Sequence, residues 1–300
     1  MRILVLGSTG YLGGHVAEHL RALPGARVLG AGRSAGAEHR VDLATVRPER
    51  LAKTLASAAP DAVVNCAGAT GGDPVTLAEA NARGPAVLCA ALRDAAPAAR
   101  LVHLGSAAEY GPGVQDTYVT ETAPTSPVGP YGATKLAGTA AVTASGLDAV
   151  VLRVGNPVGH GAPAAGLPGR VAALLRDAGA DPGAVLRLGD LSAHRDFVDV
   201  RDLADAVRRT VTAPGPLPPV LNIGGGAAVP VREVVHGLAR HAGFRGRIEE
   251  SADDRAGSVR SARVSWQCSD ITAAREALGW RPAHTLDDAL AALWEGGGTP

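Results

Sequence analysis

Hydrophobic residues along this chain arrive in short bursts at regular intervals. The first burst, Ile3-Leu4-Val5-Leu6, is continuous rather than alternating, as expected of a strand buried on both faces. Comparable runs recur at 26–31, 61–66, 100–104 and 148–153, with a shorter one at 221–223. Between them, apolar residues return every three or four positions. Leu12, Val16 and Leu20 share one helical face with His19, and the alanine-rich segments 75–95 and 131–145 also read as helices. Alternating strand and helix predicts an α/β fold, a doubly wound parallel sheet with right-handed crossovers. Ligands of such sheets bind beyond the C-terminal strand ends, where Gly7, residues 65–68, Ser106 and Asn156 fall.

After residue 154 the rhythm loosens. Segment 155–195 is rich in Gly, Pro and Ala around one predicted helix at 168–178. Segment 225–300 carries predicted helices at 231–242, 270–278 and 286–294, and ends in a glycine-rich stretch expected to fray. The pattern predicts a sheet domain formed by 1–154 and 196–224, and a smaller lobe formed by 155–195 and 225–300.

The turn after the first strand reads Gly7-Ser8-Thr9-Gly10-Tyr11-Leu12-Gly13. Glycine is common here, 39 of 300 residues, so the loop's weight lies in its place between a strand and a helix. There one glycine makes the turn, one lets backbone approach a phosphate, and one lets helix and strand pack closely. The helix N-terminus then offers N–H groups and a positive dipole end to a pyrophosphate. The spacing G-x-x-G-x-x-G differs from the commoner G-x-G-x-x-G. The second strand leads to Gly32-Arg33-Ser34, with an arginine where an NAD site places a carboxylate for the ribose 2′-hydroxyl. Arg33 and Ser34 suit a 2′-phosphate, so NADP(H) is the expected cofactor, with NAD(H) as the alternative.

Tyr131 and Lys135 are four residues apart and share a helical face after Pro130. A phenol ordinarily titrates near ~10, and an adjacent ammonium favours its phenolate. The pair can therefore exchange a proton with a substrate oxygen near neutral pH. Lys135 can also bond the ribose of the nicotinamide nucleoside. Ser106, at the end of the 100–104 strand, is the expected hydroxyl partner, although strand-end serines also serve as simple turn residues.

In motif after motif the chain resembles an extended short-chain dehydrogenase/reductase of the NAD-dependent epimerase/dehydratase family. The matching residues are the glycine loop with Thr9, Tyr11 and Leu12, then Asp42-Leu43, Asn65-Cys66-Ala67-Gly68, Asn81, Ser106 through Tyr110-Gly111, and Tyr131 through Lys135. Further on come 152–159, Arg195-Asp196-Phe197-Val198-Asp199-Val200, and 270–282. The resemblance implies a Rossmann-type sheet with a substrate lobe. It places Asp42 and Leu43 on the adenine side, and Cys66, Ala67, Gly68 and Asn81 along the cofactor. It also implies a nucleotide-sugar substrate, met by Ser106, Asn156, Arg195 and one of Arg260 and Arg263. Members often pair as homodimers through the helix that carries Tyr131. Sugar 4,6-dehydratases of the family carry an Asp-Glu pair where this chain has Ala107-Ala108, so elimination of water is not expected. The expectation is a ketoreductase of a nucleotide-linked keto-deoxysugar. An NAD-dependent epimerase and a ketoreductase of a non-nucleotide secondary metabolite are the alternatives.

The remaining features exclude more than they assign. Formal charge is zero and no basic block occurs, so nucleic acid is not an expected partner. No membrane span or signal peptide is expected, and the three cysteines read as reduced thiols of a cytoplasmic protein. The nine histidines show no metal spacing. Asp196, Asp199 and Asp202 are expected to order the lobe junction rather than do chemistry.

Overall fold

The computed structural model describes residues 1–251 and 264–297. In its first half, β1 (Arg2–Leu6), α1 (Tyr11–Arg21), β2 (Arg27–Gly32), β3 (His39–Arg40), α2 (Pro48–Ala58) and β4 (Ala62–Asn65) lead to α3 (Pro74–Ala78). A single π-helical turn, Glu79–Arg83, joins α3 to α4 (Gly84–Ala95). Then follow β5 (Arg100–Ser106), α5 (Pro130–Thr143), β6 (Ala149–Val154), β7 (Asn156–Val158), α6 (Leu167–Ala178), β8 (Val185–Leu188), β9 (His194–Asp199) and α7 (Val200–Thr212). The chain closes with β10 (Val220–Ile223), β11 (Ala228–Pro230), α8 (Val231–His241), β12 (Arg247–Glu250), α9 (Thr272–Leu278) and α10 (Leu286–Glu295).

Seven strands form one parallel sheet in the order β10-β6-β5-β4-β1-β2-β3. The chain winds one way from β1 to β3 and returns on the other side through β4, β5 and β6. The direction therefore reverses between β1 and β4, and a crevice opens at their C-terminal ends. Strand pleating explains the continuous apolar run: Ile3 and Val5 enter one core with α1 and α7, while Leu4 and Leu6 enter the other with α2 and α4.

A third core joins Val158, Val171, Leu175, Leu186 and Leu188 to Val234, Leu238 and Leu290, over α6, α8 and α10. The expected lobe is not uniform. Ala274 and the fully buried Trp280 pack into the α1/α7 side of the central sheet, and the Trp280 indole N–H donates to the Asp202 carbonyl at 3.0 Å. Segment 271–280, read from the sequence as lobe, therefore packs against the sheet domain. Among the described residues no helix is long and apolar enough to cross a membrane.

Candidate active site

Gly7 has φ +78°; its N–H donates to the Ala31 carbonyl on β2 at 2.7 Å, and the Gly10 N–H closes the turn onto the Gly7 carbonyl at 2.9 Å. A Cβ on Gly13 would lie 2.0 Å from the Gly7 carbonyl oxygen, so only glycine lets α1 start this close to the turn. No side chain caps α1 at Gly10 and no acidic residue sits in its first turn, which leaves its positive end to an anion. The Tyr11 hydroxyl is buried and Leu12 packs on the core, so neither side chain is presented to the loop's mouth. This cradle fits the pyrophosphate of a dinucleotide.

At the adenosine end the Ser34 hydroxyl donates to Thr9 Oγ1 at 3.1 Å, linking the two loops. Arg33 is exposed beside them. A carboxylate the sequence reading did not weigh, Glu38, is held at 3.2 Å by the backbone N–H of Gly30 on β2. Asp42 accepts from Ala44 N at 3.1 Å, and the buried Leu43 has its carbonyl held by Arg83.

The loop after β4 is braced from below. Asn65 Oδ1 accepts from Ala67 N at 3.1 Å, and Asn65 Nδ2 donates to His103 Nδ1 at 3.1 Å. Burial holds the His103 imidazole neutral, well below its usual range, with the Lys135 charge acting the same way. Asn81, buried in the π turn, bonds both the N–H and the carbonyl of Ala69 at 2.9 and 2.8 Å, and reaches Thr134 at 3.3 Å. Its side chain is thus spent on the shape of the 66–69 loop. Gly68 packs against it, where a Cβ would lie 2.9 Å from Asn81 Oδ1.

Ser106 ends β5 and caps a 3₁₀ turn, Ala107–Glu109. Its Oγ accepts from Ala108 N at 3.2 Å, and its own N–H donates to Glu109 Oε1 at 2.8 Å. Helix α5 docks on this turn along one face, at 132, 135 and 139. A Cβ on Gly132 would lie 2.4 Å from the Ala108 carbonyl oxygen. The buried Lys135 donates to the Leu104 carbonyl, and Thr139 Oγ1 donates to Glu109 Oε1 at 3.0 Å. Tyr131, half-buried, directly precedes the contact at Gly132. Burial pulls the Lys135 ammonium down to about 8, opposed by the negative charge of Glu109. Burial pushes the Cys66 thiol up to about 12, which makes it inert beside the site.

Several polar residues here lie in segments named above but carry no role in the sequence reading. Glu109, Arg153, Tyr110 and Asn222 form a buried group. Arg153 Nε meets Glu109 Oε2 at 2.8 Å, its guanidinium lies 4.5 Å from the Tyr110 ring centre, and the Tyr110 hydroxyl donates to Asn222 Oδ1 at 2.7 Å. One signal was available: Ser106-x-x-Glu109 is the S-x-x-E spacing of a capping box.

On the lobe side, Asn156 Nδ2 donates to the Asp196 carbonyl at 3.1 Å and to Gln267 Oε1 at 3.4 Å. Arg195 on β9 is buried and donates to the His194 carbonyl at 2.8 Å, and burial lowers its guanidinium to about 10. Asp196 collects the N–H groups of Gly225, Gly226 and Ser269. Asp199 caps α7 and pairs with Arg201, and Asp202 binds the backbone of Ala283 and His284. All three acids are thus spent on the junction. Arg260 and Arg263 lie outside the described residues.

A doubly wound sheet with a glycine cradle at its switch point, and a Tyr-x-x-x-Lys helix seated on the neighbouring strand end, defines an NAD(P)-dependent oxidoreductase of the extended short-chain type. The chain belongs to the NAD-dependent epimerase/dehydratase family, whose profile matches residues 3–224. It is 40% identical to the dTDP-6-deoxy-L-talose 4-dehydrogenase (NAD(P)(+)) of Kitasatospora kifunensis, over 98% of this chain and 94% of that one. Among solved structures it superposes on RMD from Pseudomonas aeruginosa complexed with NADPH with a TM-score of 0.82, at 25% identity and 98% coverage of both chains. It also superposes on MoeE5 in complex with UDP-glucuronic acid and NAD with a TM-score of 0.83, at 28% identity and 99% coverage of both chains. A nicotinamide dinucleotide is therefore the cofactor class.

Proposed function

We propose that this chain is an NADP(H)-dependent ketoreductase of a nucleotide-linked keto-deoxysugar. The observation that carries this reading is the seating of α5, through Gly132, Lys135 and Thr139, on the strand end that bears Ser106. When bound, the reduced nicotinamide supplies hydride to a carbonyl carbon. Tyr131 gives its proton to the oxygen as negative charge develops there. Ser106 donates its hydroxyl hydrogen to the same oxygen, since its Oγ is already oriented by accepting from Ala108 N. The Lys135 ammonium favours the phenolate that Tyr131 leaves behind. Arg195 is desolvated, so a diphosphate reaching it would recover more energy than one meeting a solvated arginine. Arg33 suits the 2′-phosphate of NADP(H). The 40% identity to a 4-dehydrogenase of a dTDP-6-deoxysugar supports reduction at C4, the reverse of that oxidation.

The test supplies NADPH and a dTDP-4-keto-6-deoxyhexose, and follows both cofactor oxidation and the sugar product. Stoichiometric oxidation with a 4-hydroxy product is expected. Interconversion of sugar epimers without net oxidation would instead make the chain an epimerase. Reduction confined to uncharged carbonyls, with no competition from nucleoside diphosphates, would make it a reductase of a non-nucleotide metabolite.

A further inference from the structure

Glu109 is fully buried, yet it belongs to neither the cofactor cradle nor the Ser106, Tyr131 and Lys135 set. Its carboxylate makes three bonds to three different elements. Oε1 accepts from Ser106 N at the end of β5 and from Thr139 Oγ1 on α5, while Oε2 accepts from Arg153 Nε on β6. A Cβ on Gly105 would lie 2.8 Å from Oε1, so the strand leaves room for the carboxylate at the cost of a side chain. A buried carboxylate is retained at such expense only when cations and donors surround it.

We propose that Glu109 is a positioning residue for the reaction: its carboxylate sets the Ser106 hydroxyl to donate and holds the Lys135 helix against that hydroxyl. This rests on the reading of Ser106, Tyr131 and Lys135 as the reacting groups. The first half follows from the capping box. With Ser106 N tied to Glu109 and Ser106 Oγ accepting from Ala108 N, the hydroxyl hydrogen remains available to donate to a substrate oxygen. The second half follows from the Thr139 bond, one helical turn beyond Lys135.

The charge matters as well as the bonds. The titratable groups that act on Lys135 are Glu109 from the 3₁₀ turn, Cys66 after β4 and His103 on β5, with Tyr131 one helical turn before it on α5; Arg153 lies across Glu109. Cys66 and His103 are held in their neutral forms by burial, which leaves Glu109 as the anion opposing desolvation of Lys135. Removing that anion lowers the Lys135 pKa further, so its ammonium is lost at lower pH.

The test compares Glu109→Gln with the double variant Glu109→Gln/Arg153→Met in the full-length chain, using NADPH and the keto-sugar substrate. The double variant avoids leaving the Arg153 cation buried alone, which is the expected reason for the single variant to misfold. Either folded variant should lose tenfold or more in kcat, with the substrate KM within threefold of the parent. The alkaline limb of kcat/KM should move down by about one pH unit, a change that a merely structural carboxylate would not produce. A folded variant with parental kcat and a parental alkaline limb overturns the proposal. Tyr131→Phe separates this from failure of the underlying site: if it keeps parental turnover, the site reading itself is wrong whatever Glu109 does.

Discussion

Gly132→Ala tests the seating of α5 with the smallest possible change. The added Cβ would lie 2.4 Å from the Ala108 carbonyl oxygen and 2.9 Å from Pro127 Cβ. Carbon and carbonyl oxygen approach to about 3.3 Å at closest, so the start of α5 must retreat by about 1 Å. Tyr131 is the preceding residue and Ser106 lies two residues before Ala108, so the retreat widens the gap across which a proton passes. A misplacement of about 1 Å costs on the order of 100-fold in rate. The fold itself should survive. Overpacking costs about 1–3 kcal/mol, and replacing a helical glycine returns up to ~1 kcal/mol. The assay is steady-state kcat/KM for NADPH-driven reduction, with NADPH affinity and Tm measured on the same samples. A loss near 100-fold in kcat/KM is expected, with a fall of a few degrees in Tm and NADPH affinity within a few-fold. Gly129→Ala, one turn earlier at the helix cap, is the control, because its Cβ meets nothing within 4 Å. If Gly132→Ala keeps parental turnover and stability, the contact between this helix and the Ser106 turn does not set the reacting geometry.

Three further outcomes are expected. Tyr131→Phe keeps the ring and removes the proton donor, so turnover should fall a hundredfold or more with NADPH affinity nearly intact, the usual scale for general acid–base catalysis; near-parental turnover would show that the proton comes from elsewhere. The parent chain should bind NADPH more tightly than NADH, and Arg33→Asp should reverse the order in a binding titration; equal affinities in the parent would leave Arg33 as a solvated loop residue. Arg195→Ala should raise the KM for a nucleotide-sugar substrate roughly ten- to a hundredfold, the scale of one charge-assisted contact, and nucleoside diphosphate should compete with substrate in the parent. An unchanged KM in a stably folded Arg195→Ala protein would remove this residue from substrate binding.

Local pattern alone determined much of this protein. Continuous apolar runs such as 3–6 predict strands buried on two faces, because pleating sends successive side chains into opposite cores. The glycine loop was legible because the left-handed backbone at Gly7 and the close approach at Gly13 each demand a residue without a side chain. Tyr131 and Lys135 were legible because four residues make about one helical turn. Other features depend on partners far away in the chain, and no local pattern carries them. Helix α7 is not among them: its apolar face of Val200, Leu203, Val207 and Val211 follows helical spacing locally, and the sequence reading above passes over it. Segment 271–280 reads as lobe, yet the hydrogen bond from Trp280 to Asp202, 78 residues away, fixes it to the sheet. Glu109 reads as one acid in a loop until Thr139 and Arg153 arrive, 30 and 44 residues later, to make its burial tolerable. Only the tertiary structure decides which buried charges are partnered, because burial and pairing both come from residues that folding brings together.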